Sequence, residues 1–342
     1  MIRVAVVGCG YWGPNLIRNF VACPDTEVLW ACDKDKERLE KVRQLYPAIK
    51  GTTDIADILA DERTDGVAIA TPVGTHFSLA EACLKKGKHV LVEKPLAPRL
   101  DQGEHLAKLA RENDLKLMCD HTFCYTGAVR KMKEMIDSGS LGELLYFDSV
   151  RVNLGLFQQD VNVVWDLAPH DLSIIDFLVE EKPSSVSAHG VCHAGNRLEN
   201  IAYVSLRYPN SFMAHFHVNW LSPVKIRKTI IGGTEKMLVW DDLDSAEKIK
   251  IYDKGIEIQN VDQEDRHRLL VSYRFGDMYA PRIDHTEALS LVVKEFADCI
   301  MENRPPLTDG AAGLRVLRIL EAAEQSIKTE GANVPIEYLE EI

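Results

Sequence analysis

The sequence predicts an α/β protein: an N-terminal doubly wound parallel sheet, then a C-terminal α+β domain with a large, mainly antiparallel open sheet. Three observations predict this. Short, non-alternating runs rich in Val, Ile and Leu recur between amphipathic segments in the first third of the chain, as in a sheet covered on both faces. A glycine-rich turn joins the first such run to the first helical pattern. Beyond about residue 125 the runs begin to alternate apolar with polar, as in a sheet with one covered face.

The early strands are expected at 4–7, 28–32, 67–70, 90–92 and 115–118, with helices at 15–23, 36–46, 55–60, 77–86 and 101–113. Repeated strand–helix units imply parallel strands with helical crossovers. A helix at 127–138 leads into a Gly- and Ser-rich turn at 139–142. Strands then dominate, at 144–152, 184–191, 201–208, 212–218, 228–231 and 237–240. A helix at 169–179 interrupts them, starting at Pro169, whose fixed φ suits a first helical position. Helices at 286–301 and 311–329 close the chain and are expected to pack back on the second sheet. The division falls near residue 122, giving domains 1–122 and 123–342.

The 342 residues are 46% hydrophobic and 27% charged, enough apolar content for a real core. A net charge of −12 argues against nucleic acid as a partner, since phosphate backbones need a basic face. Charges interrupt every apolar stretch long enough to span a bilayer. The N-terminus begins directly as a strand, without a secretory pattern. The eight cysteines are scattered, with no C-x-x-C pair. Reduced thiols and a cytoplasmic protein without a membrane partner are therefore expected.

Gly8-Cys9-Gly10-Tyr11-Trp12-Gly13 is G-x-G-x-x-G between a strand and a helix. The first glycine permits the tight turn, the second lets backbone approach a pyrophosphate, and the third lets helix and strand pack closely. Free N–H groups at the helix N-terminus then face the phosphates. Asp33 ends the second strand about 20 residues on, where a carboxylate can accept from a ribose 2′-hydroxyl. It would repel a 2′-phosphate, so NAD is expected rather than NADP. Thr71-Pro72 and Glu93-Lys94-Pro95 end two further strands, and ligands of such sheets bind beyond the strands' carboxyl ends. Proline alone would explain a strand stop, but not a lysine between the strand end and the proline. Tyr11 and Trp12 are placed either beside the nicotinamide or as a helix-entry staple.

These residues resemble the Gfo/Idh/MocA oxidoreductase family. The resemblance rests on the glycine motif, Thr71-Pro72 followed by His76, Glu93-Lys94-Pro95, and Trp165-Asp166-Leu167-Ala168-Pro169-His170-Asp171. It implies NAD, with Tyr11, Trp12, Thr71, Pro72, His76, Glu93, Lys94 and Trp165 near it. It also implies that Lys94, Asp166 and His170 are catalytic. The chemistry is consistent with that. Oxidising a secondary alcohol needs a base within reach of the hydroxyl. Histidine titrates in the right range, and a lysine can stabilise developing alkoxide charge. Asp166 would orient the substrate or the imidazole. The competing readings are a helix-start histidine and a capping carboxylate.

Asn153-Leu154-Gly155-Leu156-Phe157-Gln158 and the segment 161–171 most resemble dehydrogenases that oxidise the 3-hydroxyl of a UDP-N-acetylhexosamine or its uronic acid. Segment 219–228 is similar to their continuation. Arg151, Asn153, Lys225 and Arg227 are the candidate substrate contacts, the last two sharing a strand face that could meet a pyrophosphate. A solvated charged face is the alternative. Other readings are a dehydrogenase of a free sugar or inositol, an NAD-dependent glycosidase, and a non-catalytic NAD sensor. His215 and His217 share a strand face without an evident third metal ligand. Cys119, His121 and Cys124 are read as core, and Asp241-Asp242-Leu243-Asp244 as a surface turn. The resemblance also implies a homodimer or homotetramer assembled through the second sheet.

Overall fold

The structure is a computed structural model that describes residues 1–155, 160–193, 198–258 and 271–338. Its first part runs β1 (Ile2–Val7), α1 (Gly13–Ala22), β2 (Thr26–Cys32), α2 (Lys36–Leu45), β3 (Lys50–Thr52), α3 (Ile55–Ala60), β4 (Gly66–Ile69), α4 (His76–Lys85), β5 (His89–Glu93), α5 (Leu100–Glu112) and β6 (Leu117–Asp120). The strands form one parallel sheet in the order β3-β2-β1-β4-β5-β6, the expected Rossmann arrangement. Every residue of β4 is buried, as a central strand covered on both faces requires. Asp35 and Asp54 start α2 and α3 by accepting bonds from backbone N–H groups of the first turn, which removes unsatisfied donors. β3 escapes the sequence reading because Lys50-Gly51-Thr52 has no apolar run and only Thr52 is buried.

The second part runs α6 (Gly127–Asp137), β7 (Leu144–Leu154), α7 (Val163–Leu178), β8 (Ser185–Val191), β9 (Ile201–Arg207), β10 (Met213–Asn219), β11 (Leu221–Gly233), β12 (Met237–Asp241), β13 (Ile249–Tyr252), β14 (Gly255–Ile258), β15 (Val271–Arg274), β16 (Met278–Tyr279), α8 (Ala288–Met301), α9 (Gly310–Lys328) and β17 (Val334–Pro335). The large sheet is ordered β16-β13-β12-β11-β7-β10-β9-β8-β17, with β14 and β15 paired apart. Among its described pairings only β7 with β10 is parallel. Val204, Leu206, Ala214, Phe216 and Val218 are buried on the face toward the helices. The opposite face leaves Tyr203 and Met213 exposed.

Two expectations are corrected. α7 begins at Val163 rather than at Pro169, because the Asn162 side chain accepts from the N–H groups of Val164 and Trp165 and starts the helix early. Pro169 is therefore interior, where its missing N–H leaves one ladder bond unmade. Asp166 and His170 consequently lie one helical turn apart on one face. The closing helices also divide their work. α8 covers the parallel sheet beside α1, with Leu289, Val292, Val293, Phe296 and Ala297 buried there. Phe296 meets Phe20 edge-on at 6.3 Å, and a Cβ on Gly66 would come within 2.9 Å of its ring. α9 alone reaches the second sheet, where Ser326 Oγ accepts from the Ala188 N–H at 2.8 Å.

Phe296→Ala is expected to lose about 3–5 kcal/mol of unfolding free energy. Urea unfolding followed by tryptophan fluorescence checks this. A loss within experimental error would show that α8 is not part of the first core.

Candidate active site

The cofactor turn follows from sterics. Gly8 ends β1 with φ of 95°, a conformation that side chains rarely adopt. A Cβ there would lie 2.5 Å from the Ala70 carbonyl oxygen, and one on Gly13 would lie 1.8 Å from the Gly8 carbonyl oxygen. Both glycines are thus required by close backbone approach. A Cβ on Gly10 would meet only the Arg38 guanidinium, at 3.4 Å. Asp33 braces the turn, its carboxylate accepting from the Cys9 N–H at 2.6 Å and the Asp35 N–H at 2.8 Å. Tyr11 is 82% exposed and Trp12 is half-exposed, their rings edge-to-face at 5.3 Å. Two aromatic rings left in water at the mouth of the loop form an apolar rim.

Across from this turn, Lys94 leaves β5 and reaches α7. Its Nζ donates to the Asp166 carbonyl oxygen at 2.8 Å and lies 3.4 Å from Asp166 Oδ1. The other carboxylate oxygen accepts from Trp220 Nε1 at 3.0 Å. His170 follows one turn later, its ring 5.1 Å from that of Phe123. Among the described residues neither ring nitrogen of His170 has a hydrogen-bond partner. An ammonium, a carboxylate and an uncommitted imidazole therefore converge beside the strand ends.

Family models place this arrangement. An oxidoreductase-family model described by its NAD-binding Rossmann fold matches residues 2–121. A second, for the GFO/IDH/MocA C-terminal domain, matches residues 129–239. The chain belongs to the Gfo/Idh/MocA family. The chain is 25% identical to a UDP-N-acetylglucosamine 3-dehydrogenase from Acidithiobacillus ferrooxidans, over 92% of this chain and 94% of the relative. A Thermotoga maritima myo-inositol 2-dehydrogenase is 21% identical, over 96% of each chain. Among solved structures, the WlbA dehydrogenase of Bordetella pertussis in complex with NADH and UDP-GlcNAcA is similar, with a TM-score of 0.82, 21% identity and 98% of each chain covered.

The cofactor of this Gfo/Idh/MocA protein is NAD, and the turn fits it: Gly8 and Gly13 allow the close backbone packing that shapes the turn, and α1 presents its N-terminus there. Arg38 is an unanticipated neighbour, its guanidinium 3.8 Å from the Asp33 carboxylate. Thr71 and Pro72 form the next strand-end loop. His76 does not offer a nitrogen to the cleft. It is buried, with Nδ1 2.8 Å from the Pro95 carbonyl oxygen and Nε2 2.9 Å from that of Thr71, so it ties the two loops together. Glu93 pairs in register with buried Asp120 of β6. Burial raises both, Asp120 to about 6 and Glu93, with the Asp120 carboxyl beside it, well above the usual range. Asp120 was not anticipated. Its signal was its place at a strand's carboxyl end, the same place that singled out Glu93.

Other candidates are reassigned by their partners. Trp165 is buried, its Nε1 donating to Glu324 of α9 at 2.8 Å, so it joins α7 to α9. Arg151 is 3% exposed and held bidentately by Asp171, itself 2% exposed, at 2.7 and 2.9 Å. It also lies over the Phe123 ring at 4.6 Å. Its Nη1 has no hydrogen-bond partner among the described residues. Arg227 stands opposite Arg151 in the β7–β11 pairing and is half-buried, 3.5 Å from Asp242. Lys225 is exposed, in a stretch where the register shifts, so the expected shared face with Arg227 is interrupted. Asn153 is half-buried two residues beyond Arg151 on β7. Leu156, Phe157 and Gln158 lie outside the described residues.

His215 and His217 stack on Tyr203 at 6.0 and 4.4 Å. Cys119 and Cys124 are buried, and residues 241–244 form the expected turn, with Asp244 accepting from the Ala246 and Glu247 N–H groups. No helix among the described residues is long and apolar enough to cross a membrane.

Burial, then the charges of Lys94, Arg151 and Arg227, push the His170 imidazole well below its ordinary value of 6.5. It is therefore the neutral, proton-accepting form at pH 7. An NMR titration should place its midpoint below 6.5 and move it upward in Arg227→Met, because removing a nearby cation favours the imidazolium. A midpoint unmoved by that change would separate Arg227 from the site. Gly13→Ala should abolish NAD binding in a calorimetric titration, and full affinity in that variant would contradict the close approach.

Proposed function

We propose that this NAD-dependent oxidoreductase oxidises the 3-hydroxyl of a UDP-linked N-acetylhexosamine, or of its uronic acid, to a 3-keto sugar. The observation that carries the reading is the Lys94–Asp166 clamp with His170 one turn on, its ring nitrogens uncommitted among the described residues. NAD supplies the hydride acceptor when bound. The remaining work belongs to the chain. Lys94 has one N–H direction beyond its two contacts with Asp166, and directs it at the substrate oxygen, where positive charge stabilises the developing alkoxide. His170 takes the hydroxyl proton. Asp166 is a positioning residue that fixes the lysine through its carbonyl and carboxylate and is itself held by Trp220.

The sugar-nucleotide assignment is supported by similarity along nearly the whole length of the Acidithiobacillus ferrooxidans relative. Arg227 and Lys225 would face the diphosphate, and Asn153 the sugar. The comparable similarity to an inositol dehydrogenase keeps a free polyol as the second reading. The division near residue 122 then separates cofactor from sugar recognition. The exposed Tyr203 and Met213 of the sheet's outer face would be covered in a homo-oligomer.

Incubation with NAD and UDP-N-acetylglucosamine, its uronic acid, free N-acetylglucosamine and myo-inositol separates these readings by mass spectrometry. A keto product from a UDP sugar alone supports the proposal, and one from free polyol alone replaces it. Lys94→Ala and His170→Ala should each lower kcat about 10²–10⁴-fold with NAD affinity kept. Turnover retained in both would end this mechanism.

A further inference from the structure

Oxidation of the alcohol sends a hydride to NAD and a proton to His170, and that proton must leave before the next turnover. Burial and the charges of Lys94, Arg151 and Arg227 disfavour a protonated His170, so the imidazole does not retain the proton. We propose that the proton leaves through His121 and a polar cavity to the Asp176–Lys182 pair. The proposal rests on the reading of His170 as the base.

His121 directly follows β6 and is 2% exposed. Among the described residues neither of its ring nitrogens has a hydrogen-bond partner. A histidine buried for structure alone is expected to bond at least one nitrogen, because unpaired buried polar atoms cost free energy. The turn that follows, Thr122–Tyr125, packs on α7 at the catalytic residue. Phe123 meets His170, Cys124 Sγ lies 3.4 Å from the Ser173 carbonyl oxygen, and Ser173 Oγ donates to the His170 carbonyl oxygen at 2.8 Å.

His121, Ser173, Asp176, Thr308 and Arg315 line a cavity of about 130 Å³. A water needs roughly 10–15 Å³ of such volume and two to four polar partners, so several fit here. At its far wall Asp176 accepts from Arg315 Nε at 2.8 Å and from Lys182 Nζ at 3.0 Å. Arg315 and Lys182 also line a wider groove of about 750 Å³ beside α5 and α9. Arg315 lines both, so the cavity at His121 and the outer groove adjoin at this side chain.

Imidazole can accept a proton at one nitrogen and release one from the other, so the transfer leaves no net charge on His121. Burial pushes this imidazole down to about 4. It therefore passes a proton on instead of storing it. The balance closes: the carbinol carbon gives its hydride to NAD, the hydroxyl gives its proton to His170, and that proton appears in bulk solvent.

Stopped-flow measurement with the sugar substrate identified above tests the route, reading nicotinamide absorbance and a pH-indicator dye in weak buffer. In His121→Phe, first-turnover hydride transfer should match the wild type while proton release and kcat slow about tenfold or more. His121→Ala should slow equally and recover with added imidazole. Proton release that keeps pace with hydride transfer in His121→Phe would overturn the relay, as would His121→Ala that imidazole does not rescue. His170→Ala should lose the first-turnover hydride step itself, and its retention would remove the base and the relay together. If both His121 variants fail to fold, a high-resolution crystal structure of the wild type decides. Ordered waters bridging His121 to Asp176 support the route, and a dry cavity refutes it.

Discussion

The bond from Lys94 to Asp166 joins the end of a buried parallel strand to a helix seated on a different sheet. Its geometry depends on both cores at once. The strand fixes where the ammonium starts, and the Asn162 cap fixes where α7 begins and hence where Asp166 falls. Half of the contact is to a backbone carbonyl, which no side-chain rotation can withdraw. His170, one turn further on, inherits its place from the same helix. Preorganised charge of this kind needs no rearrangement as an oxyanion develops.

The site's electrostatics follow from what is paired and what is not. Arg151 and Asp171 neutralise one another in a nearly dry setting, a costly arrangement unless every contact is good. Bidentate geometry and the Phe123 face supply most of them, while Arg151 Nη1 has no partner among the described residues. Lys94, then Arg151 and Arg227, set the local field at His170. They favour an unprotonated imidazole and an oxygen bearing negative charge. Glu93 and Asp120 work the other way, holding a proton between adjacent strand ends where two full charges could not be buried.

Much of this was legible in the sequence. The parallel sheet announced itself through uninterrupted Val and Ile runs, and the cofactor turn through three glycines followed by Asp33. Lys94 was marked by its neighbour Pro95. What escaped notice was set by tertiary partners. Nothing in the chain tells that Trp220 will hold Asp166, or that Arg151 will be enclosed by Asp171. α7 was started late because proline was read as a beginning, when the stronger cap lay at Asn162. β3 was missed because three residues carry no period. Trp165 and His76 came from motif likeness, and their bonds to Glu324 and to two carbonyl groups show them bracing elements near the cleft.

α9 touches almost everything that matters. Its first turn follows Asp309, which bridges to Met118 of β6; Glu321 accepts from the Leu100 N–H of α5; Glu324 holds Trp165 of α7; and Ser326 bonds Ala188 of β8. One rod is thus bolted to both halves at four points. Cutting those bolts would leave Lys94 and Asp166 on frames that no longer share a reference point.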